Sequence, residues 1–131
     1  MSGLRWMMAL LLAAFFVFMG MQKFGAENII FETIAQRSGI GLFEPYIRMT
    51  TGAAEIVAAL LLILPKTRMK GALLALMILI GAIGFHLSPW LGISIEGMGN
   101  SVFVMALGAL VLTSAVLGLE KAARGLLEQV S

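Results

Sequence analysis

Polar positions along this chain come in clumps, and four long apolar stretches run between them. Trp6 to Met21 carries no charge and is mostly Leu, Ala, Phe and Met. Thr50 to Leu64 is apolar apart from Glu55 and extends back to Tyr46. Gly71 to Leu87 is apolar up to His86, and no charge falls between Glu96 and Glu120. A helix crossing a bilayer needs about 20 such residues, with about 17 tolerated. The pattern therefore predicts an all-α, polytopic membrane protein. Its four transmembrane helices, over about 4–23, 46–64, 70–88 and 99–119, form one bundle in a single membrane domain, residues 1–131. Pro65 ends the second span, because proline cannot donate the next helical hydrogen bond.

The connecting segments have patterns of their own. Ile29, Ile30, Phe31 and Ile34 cluster with Glu27, Glu32 and Arg37. That predicts a short amphipathic helix over residues 28–36, an interfacial helix in the first outer loop that lies on the membrane surface or caps the bundle. Ser38-Gly39-Ile40-Gly41 breaks it, since glycine relaxes the helical constraint. Residues 88–98 are mostly apolar, but Pro89 and two glycines prevent a continuous helix. Backbone of that kind must be covered by protein or reach water. After the fourth span, Leu119, Ala123, Leu126, Leu127 and Val130 recur at helical spacing, which predicts a cytoplasmic surface tail over residues 120–131.

Composition narrows the class. The chain is 60% hydrophobic and 12% charged, with a mean hydropathy of +1.01. A soluble domain is nearer half apolar and a quarter charged, and one of this size could not hide so much apolar surface. The formal charge is only +2, with no dense basic cluster, which excludes nucleic acid as a partner and leaves the lipid bilayer. With no cysteine, disulfides, thiolate metal sites and Cys nucleophiles are excluded. A single His excludes a multi-His metal centre within one chain, so no metal site is assigned. The ten methionines read as deformable packing.

Charge also orients the bundle. Arg5, Lys66, Arg68, Lys70, Lys121 and Arg124 fall on one side of a four-pass topology, and Lys23, Arg37 and Arg48 on the other. Positive charge is retained in the cytoplasm, so both termini and the 65–70 link are expected there. Trp6 then sits near the inner interface, and Tyr46 and Trp90 near the outer one. The first span lacks a small-residue cleavage site after it and reads as a retained anchor. Small-xxx-small pairs, Ala54/Ala58, Gly71/Ala75 and Ser114/Gly118, are candidates for close helix packing, as is the Gly81-Ala82/Gly84 cluster.

Glu55 is the most informative residue. At about 1.5 Å per residue it lies roughly 13 Å below the outer boundary, near mid-bilayer. A carboxylate there must be protonated, paired or turned toward water inside the bundle. Thr51 and Gly52, one turn above, mark the inward face. His86 falls at a similar depth on the third span, and Lys23 closes the first span with a stem long enough to bend inward or outward. Arg48 and Asn100 belong to the same outer half. The candidate ligand or proton site is therefore Glu55, His86, Lys23, Asn100 and Arg48. The competing reading is a Glu55–Lys23 or Glu55–His86 contact that only fixes helix register.

Gly20-Met21-Gln22-Lys23-Phe24 resembles the G-x-x-K-[FL] motif of DoxX-like membrane proteins, and Gly52-Ala53-Ala54-Glu55 resembles that family's G-x-x-E. The similarity spans roughly residues 4–119. The long 24–45 segment is a departure. The resemblance implies a multi-pass protein of the bacterial or archaeal plasma (inner) membrane. It implies an accessory or anchoring subunit of a membrane redox system, quinone-linked, with a membrane or soluble oxidoreductase as partner. It marks Lys23 and Glu55 as characteristic positions without assigning either a catalytic role. No cofactor site is complete within the chain, and no catalytic constellation is present, so any part in oxidoreduction would be shared with such a partner. Two other readings stand beside this one. The first is a binder, enzyme or carrier for a small lipophilic ligand, such as a quinone, in an outer-half pocket around Glu55. The second is a proton-linked transporter working as a homo-oligomer, since one mid-membrane carboxylate can exchange a proton for a cation.

Overall fold

The computed structural model describes residues 2–25 and 28–130. Glu27 and the Val130 side chain, both given faces above, lie outside the described residues. Five α-helices follow one another: α1 (Ser2–Gln22), α2 (Ile29–Ser38), α3 (Tyr46–Ile63), α4 (Arg68–Leu87) and α5 (Ser101–Val130). A single 3-10 turn, Gly41–Phe43, leads into α3. Among the described residues there is no β-strand. The long helices α1, α3, α4 and α5 are each apolar and long enough to cross a membrane.

The four long helices form a closed ring, with α1 against α3, α3 against α4, α4 against α5, and α5 back against α1. Lipid solvates leucine as well as another leucine does, so such a ring is held by close packing and polar contacts. Leu12, Phe16, Ala59, Leu62, Ala72, Ala75 and Leu79 form its buried centre. Two glycine contacts set the tightest approaches. A Cβ on Gly71 would stand 2.7 Å from the Leu62 nitrogen, so α4 lies directly on the backbone of α3. A Cβ on Gly52 would stand 3.1 Å from the Gly20 carbonyl oxygen, which puts α3 equally close to α1. The pair Ser114/Gly118 does not pack in this way. Ser114 is exposed, and a Cβ on Gly118 meets nothing within 4 Å. Nor do Gly81 and Gly84 touch a neighbour. Spacing alone does not say which side of a helix has a partner.

One end of the ring, here the basic end, is closed by charge. Arg5 donates two hydrogen bonds to the Glu120 carboxylate, at 3.1 and 3.0 Å. Arg68 donates to the same carboxylate at 3.3 Å and lies 4.4 Å over the Trp6 ring. Arg68 is fully buried, not a surface charge of the link. Its reach explains this: Pro65 stops α3 and leaves terminal carbonyls without helical partners. Arg68 donates to two of them, Leu62 at 2.9 Å and Ile63 at 3.5 Å. Beyond Glu120, α5 continues without a break to Val130. At about 1.5 Å per residue a helix of this length is roughly 45 Å long, against a hydrocarbon core of about 30 Å. The 120–131 tail is thus, through Val130, a continuation of the same helix, with no proline after Pro89 to interrupt it.

The opposite end carries a lid. Asn28 caps α2, its side-chain oxygen accepting from the Ile30 and Phe31 N–H groups at 3.1 and 3.3 Å. Gly39 ends the helix in the left-handed region, at φ 75°, where a side chain would be strained. Phe31 and Ile34 of α2, Phe43 of the 3-10 turn, and Leu91 and Ile95 of the 88–100 segment form a second apolar cluster. Arg37 donates to the Leu91 carbonyl at 3.2 Å and ties α2 to that segment. Of the two placements the sequence allowed for this helix, it takes the cap.

Candidate functional site

The two short motifs meet in space. Gly20 and Gly52 are the residues that let α1 and α3 touch, and a Cβ on Gly52 would be 2.9 Å from the Lys23 Cβ. Three residues along each helix, the same contact places the Lys23 ammonium 2.6 Å from Glu55 Oε1. Both side chains are buried, at 10% and 4% exposure. The glycines bring the helices together, and the charges are the consequence.

The ion contact is sparse. Among the described residues the Lys23 ammonium is the one partner of Glu55 Oε1, and no neutral donor reaches that buried atom. Lys23 also donates a hydrogen bond to the Met19 carbonyl, at 3.3 Å.

Beside it lies a cavity of about 320 Å³. Lys23, Thr51, Glu55 and His86 line it on a background of apolar side chains that includes Phe16 and Phe85. Phe31 and Ile34 of α2 form its roof. His86 Nδ1 is 2.9 Å from the Gly92 carbonyl oxygen. A carbonyl can only accept, so Nδ1 carries the proton of this contact. The turn supplying that carbonyl needs glycine, because Gly92 has φ 82°. Phe103 packs edge-on against the imidazole, 5.5 Å between centroids, and holds it in place. A carboxylate, an ammonium, a hydroxyl and an imidazole therefore border an apolar space of small-ligand size.

Arg48 and Asn100 lie elsewhere. Arg48 is buried but occupied: its Nε donates to the Glu44 carboxylate at 2.7 and 2.8 Å, and its Nη1 to the Lys23 and Gly25 carbonyls, both at 2.6 Å. It anchors the chain that leaves α1, and so holds the backbone of Lys23. Asn100 is exposed, and its carbonyl accepts from the Val104 N–H at 3.0 Å as α5 begins. The cavity thus gathers Lys23, Glu55 and His86, while Arg48 acts behind Lys23 and Asn100 stands outside. Its apolar walls were not legible as a site. Ile30, Phe31 and Ile34 came into view only as the apolar face of α2, and Ala54 and Gly81 only as small residues for packing.

No curated protein and no solved structure matches the chain. A family model described as the DoxX-like family matches residues 7–114. The match takes in both glycine motifs, the lid, the Lys23–Glu55 contact and every residue around the cavity. With four helices fit to cross a membrane, this multi-pass membrane protein belongs to the DoxX-like family.

Proposed function

We propose that the cavity around Glu55 is a binding site for a small lipophilic guest. The observation that carries this is the Glu55 carboxylate, met by Lys23 and by no second donor among the described residues, beside an otherwise apolar space. A contact serving only helix register would be expected to satisfy both carboxylate oxygens within the protein. Here a single cation meets the carboxylate, next to a volume at the lower end of the range for small-ligand sites. Glu55 and His86 orient the guest, and Lys23 holds Glu55 in place.

The test is retention of lipophiles through purification. Wild-type protein, extracted and analysed by mass spectrometry, should carry a defined lipophilic molecule, and Glu55→Gln should lose it with only a modest fall in Tm. A Glu55→Gln variant that melts lower yet keeps the same molecule overturns the proposal.

A second reading comes from family membership: an accessory subunit of a quinone-linked membrane redox system. A quinone or quinol as the guest would join the two readings. Co-purification with an oxidoreductase supports it, and turnover by the chain alone removes it. Residence in a bacterial or archaeal plasma membrane, with the basic end toward the cytoplasm, is part of the proposal. Arg5, Lys66, Arg68, Lys70, Lys121 and Arg124 all belong to that end and support this orientation.

A further inference from the structure

The α3–α4 pair is closed at one end and open at the other. At the basic end, Gly71 presses α4 onto the backbone of α3, so nothing passes there. Ten residues further along α4, a Cβ on Gly81 would meet nothing within 4 Å. Helical periodicity puts Ile47, Ala54 and Ala58 on the side of α3 that faces α4, with Thr50 at its edge. It puts Gly71, Ile78 and Ala82 on the side of α4 that faces α3, with Met77 and Gly81 at the edge. Among the residues lining the cavity, the exposed ones are Thr50, Met77 and Gly81, all on this one seam.

The other approaches are shut. Phe31, Ile34, Phe43, Leu91 and Ile95 roof the cavity toward the water on the lid side. Arg37 holds that roof through the Leu91 carbonyl. On the far side, Phe16, Leu79 and Ala106 belong to the buried core beneath it. The seam itself offers no unpaired polar group, because the Thr50 hydroxyl donates to the Tyr46 carbonyl at 2.9 Å.

We infer that the gap between Thr50/Ala54 on α3 and Met77/Gly81 on α4 is a lateral portal. Through it, a lipophile bearing a hydrogen-bond donor, such as a hydroxyl or amine, enters head first from the lid-side leaflet. The inference rests on the guest-site reading and adds its route and its head group. A donor head fits because the Glu55 carboxylate accepts, while the Lys23 ammonium beside it is already engaged by that carboxylate and by the Met19 carbonyl. An apolar body suits the walls, and the bilayer is the reservoir the portal faces.

The test uses full-length protein in phosphatidylcholine vesicles. The probe is a long-chain alcohol with a diazirine next to the hydroxyl end, compared with its methyl ether. After photolysis, labelled peptides are mapped by mass spectrometry. The alcohol should label α3 around Thr51–Glu55 and α4 around Ile78–His86, and the ether about tenfold less, the equivalent of one hydrogen bond. Gly81→Trp, at a position with open space, and Ala54→Phe, from the other side, should each cut that labelling several-fold. Labelling at Val57 and Val111, which face outward, should not change and reports proper insertion. Cavity labelling that survives both substitutions overturns the portal and leaves the guest site standing. Absence of cavity labelling in the wild type, with Val57 and Val111 labelled, overturns both. Equal labelling by alcohol and ether overturns the donor head group.

Discussion

Two of the buried ionic contacts differ in how well they are satisfied. At the basic end, Glu120 accepts from Arg5 and Arg68, and Arg68 also meets two carbonyls and the Trp6 ring. Toward the lid, Glu55 has one cation at 2.6 Å, no second donor among the described residues and a cavity beside it. Both contacts join α1 to a later helix. The first uses its polar capacity within the fold and acts as a clasp. The second leaves capacity unused where an apolar guest has room. Burial of a charge does not separate structural from functional residues, whereas its completed hydrogen bonds do.

That contrast can be broken most forcefully at the clasp. Arg68→Met removes the cation over Trp6 and two carbonyl partners, and leaves Glu120 with Arg5 alone. We expect a loss of about 2–4 kcal/mol in thermal or denaturant unfolding, with no rescue by Arg68→Lys, which cannot reproduce the planar fork. Lipophile retention per folded molecule should be unchanged. If Arg68→Met instead abolished retention in folded protein, the division between clasp and site would be wrong.

Gly52→Ala tests the link between packing and site. Its Cβ would press on the Lys23 Cβ and the Gly20 carbonyl, costing about 1–3 kcal/mol. It should also lower lipophile retention, because it displaces Lys23 relative to Glu55. Gly84→Ala, on the same scale, should be neutral or slightly stabilising, since nothing stands within 4 Å. Equal melting of the two variants would refute the α1–α3 contact.

Glu55→Gln should cost less than Arg68→Met, about 1–2 kcal/mol, because Lys23 keeps its Met19 carbonyl and has a stem able to reach the interface. The same substitution should remove retention, reversing the order of effects seen at the clasp. The smallest effect is expected at the lid. Asn28→Ala removes the cap of α2 at about 1 kcal/mol, read as faster hydrogen exchange over α2 with the four long helices unaffected. Uniformly faster exchange would mean that the lid is integral to the bundle.

Much of this was legible in the chain itself. The four spanning helices follow from uninterrupted hydropathy, the lid helix from the clustering of Ile30, Phe31 and Ile34, and the end of α3 from Pro65. Lys23, Glu55 and His86 were also legible, because an ionisable group within an apolar run has no inexpensive explanation. The burial of Arg68 was not legible, since its sequence position beside Lys66 and Lys70 carries no sign that α3 ends with carbonyls within its reach. Asn100 was grouped with the site by depth alone, and depth says nothing of which way a side chain faces. The continuation of α5 past Leu119 was obscured by Glu120, whose charge looks like a membrane boundary until Arg5 and Arg68 are seen to neutralise it.

The amino-acid order therefore determined the helices, their approximate depths and the residues too polar to face lipid, because these depend on local composition and a fixed rise per residue. Only the tertiary structure decided that Gly20 meets Gly52, that Glu120 has two cations while Glu55 has one, and that α3 and α4 touch at Gly71 while Gly81 lies exposed beside the cavity. Those outcomes depend on the rotation of each helix about its own axis and on the contacts between segments far apart in the chain, neither of which periodicity alone can fix.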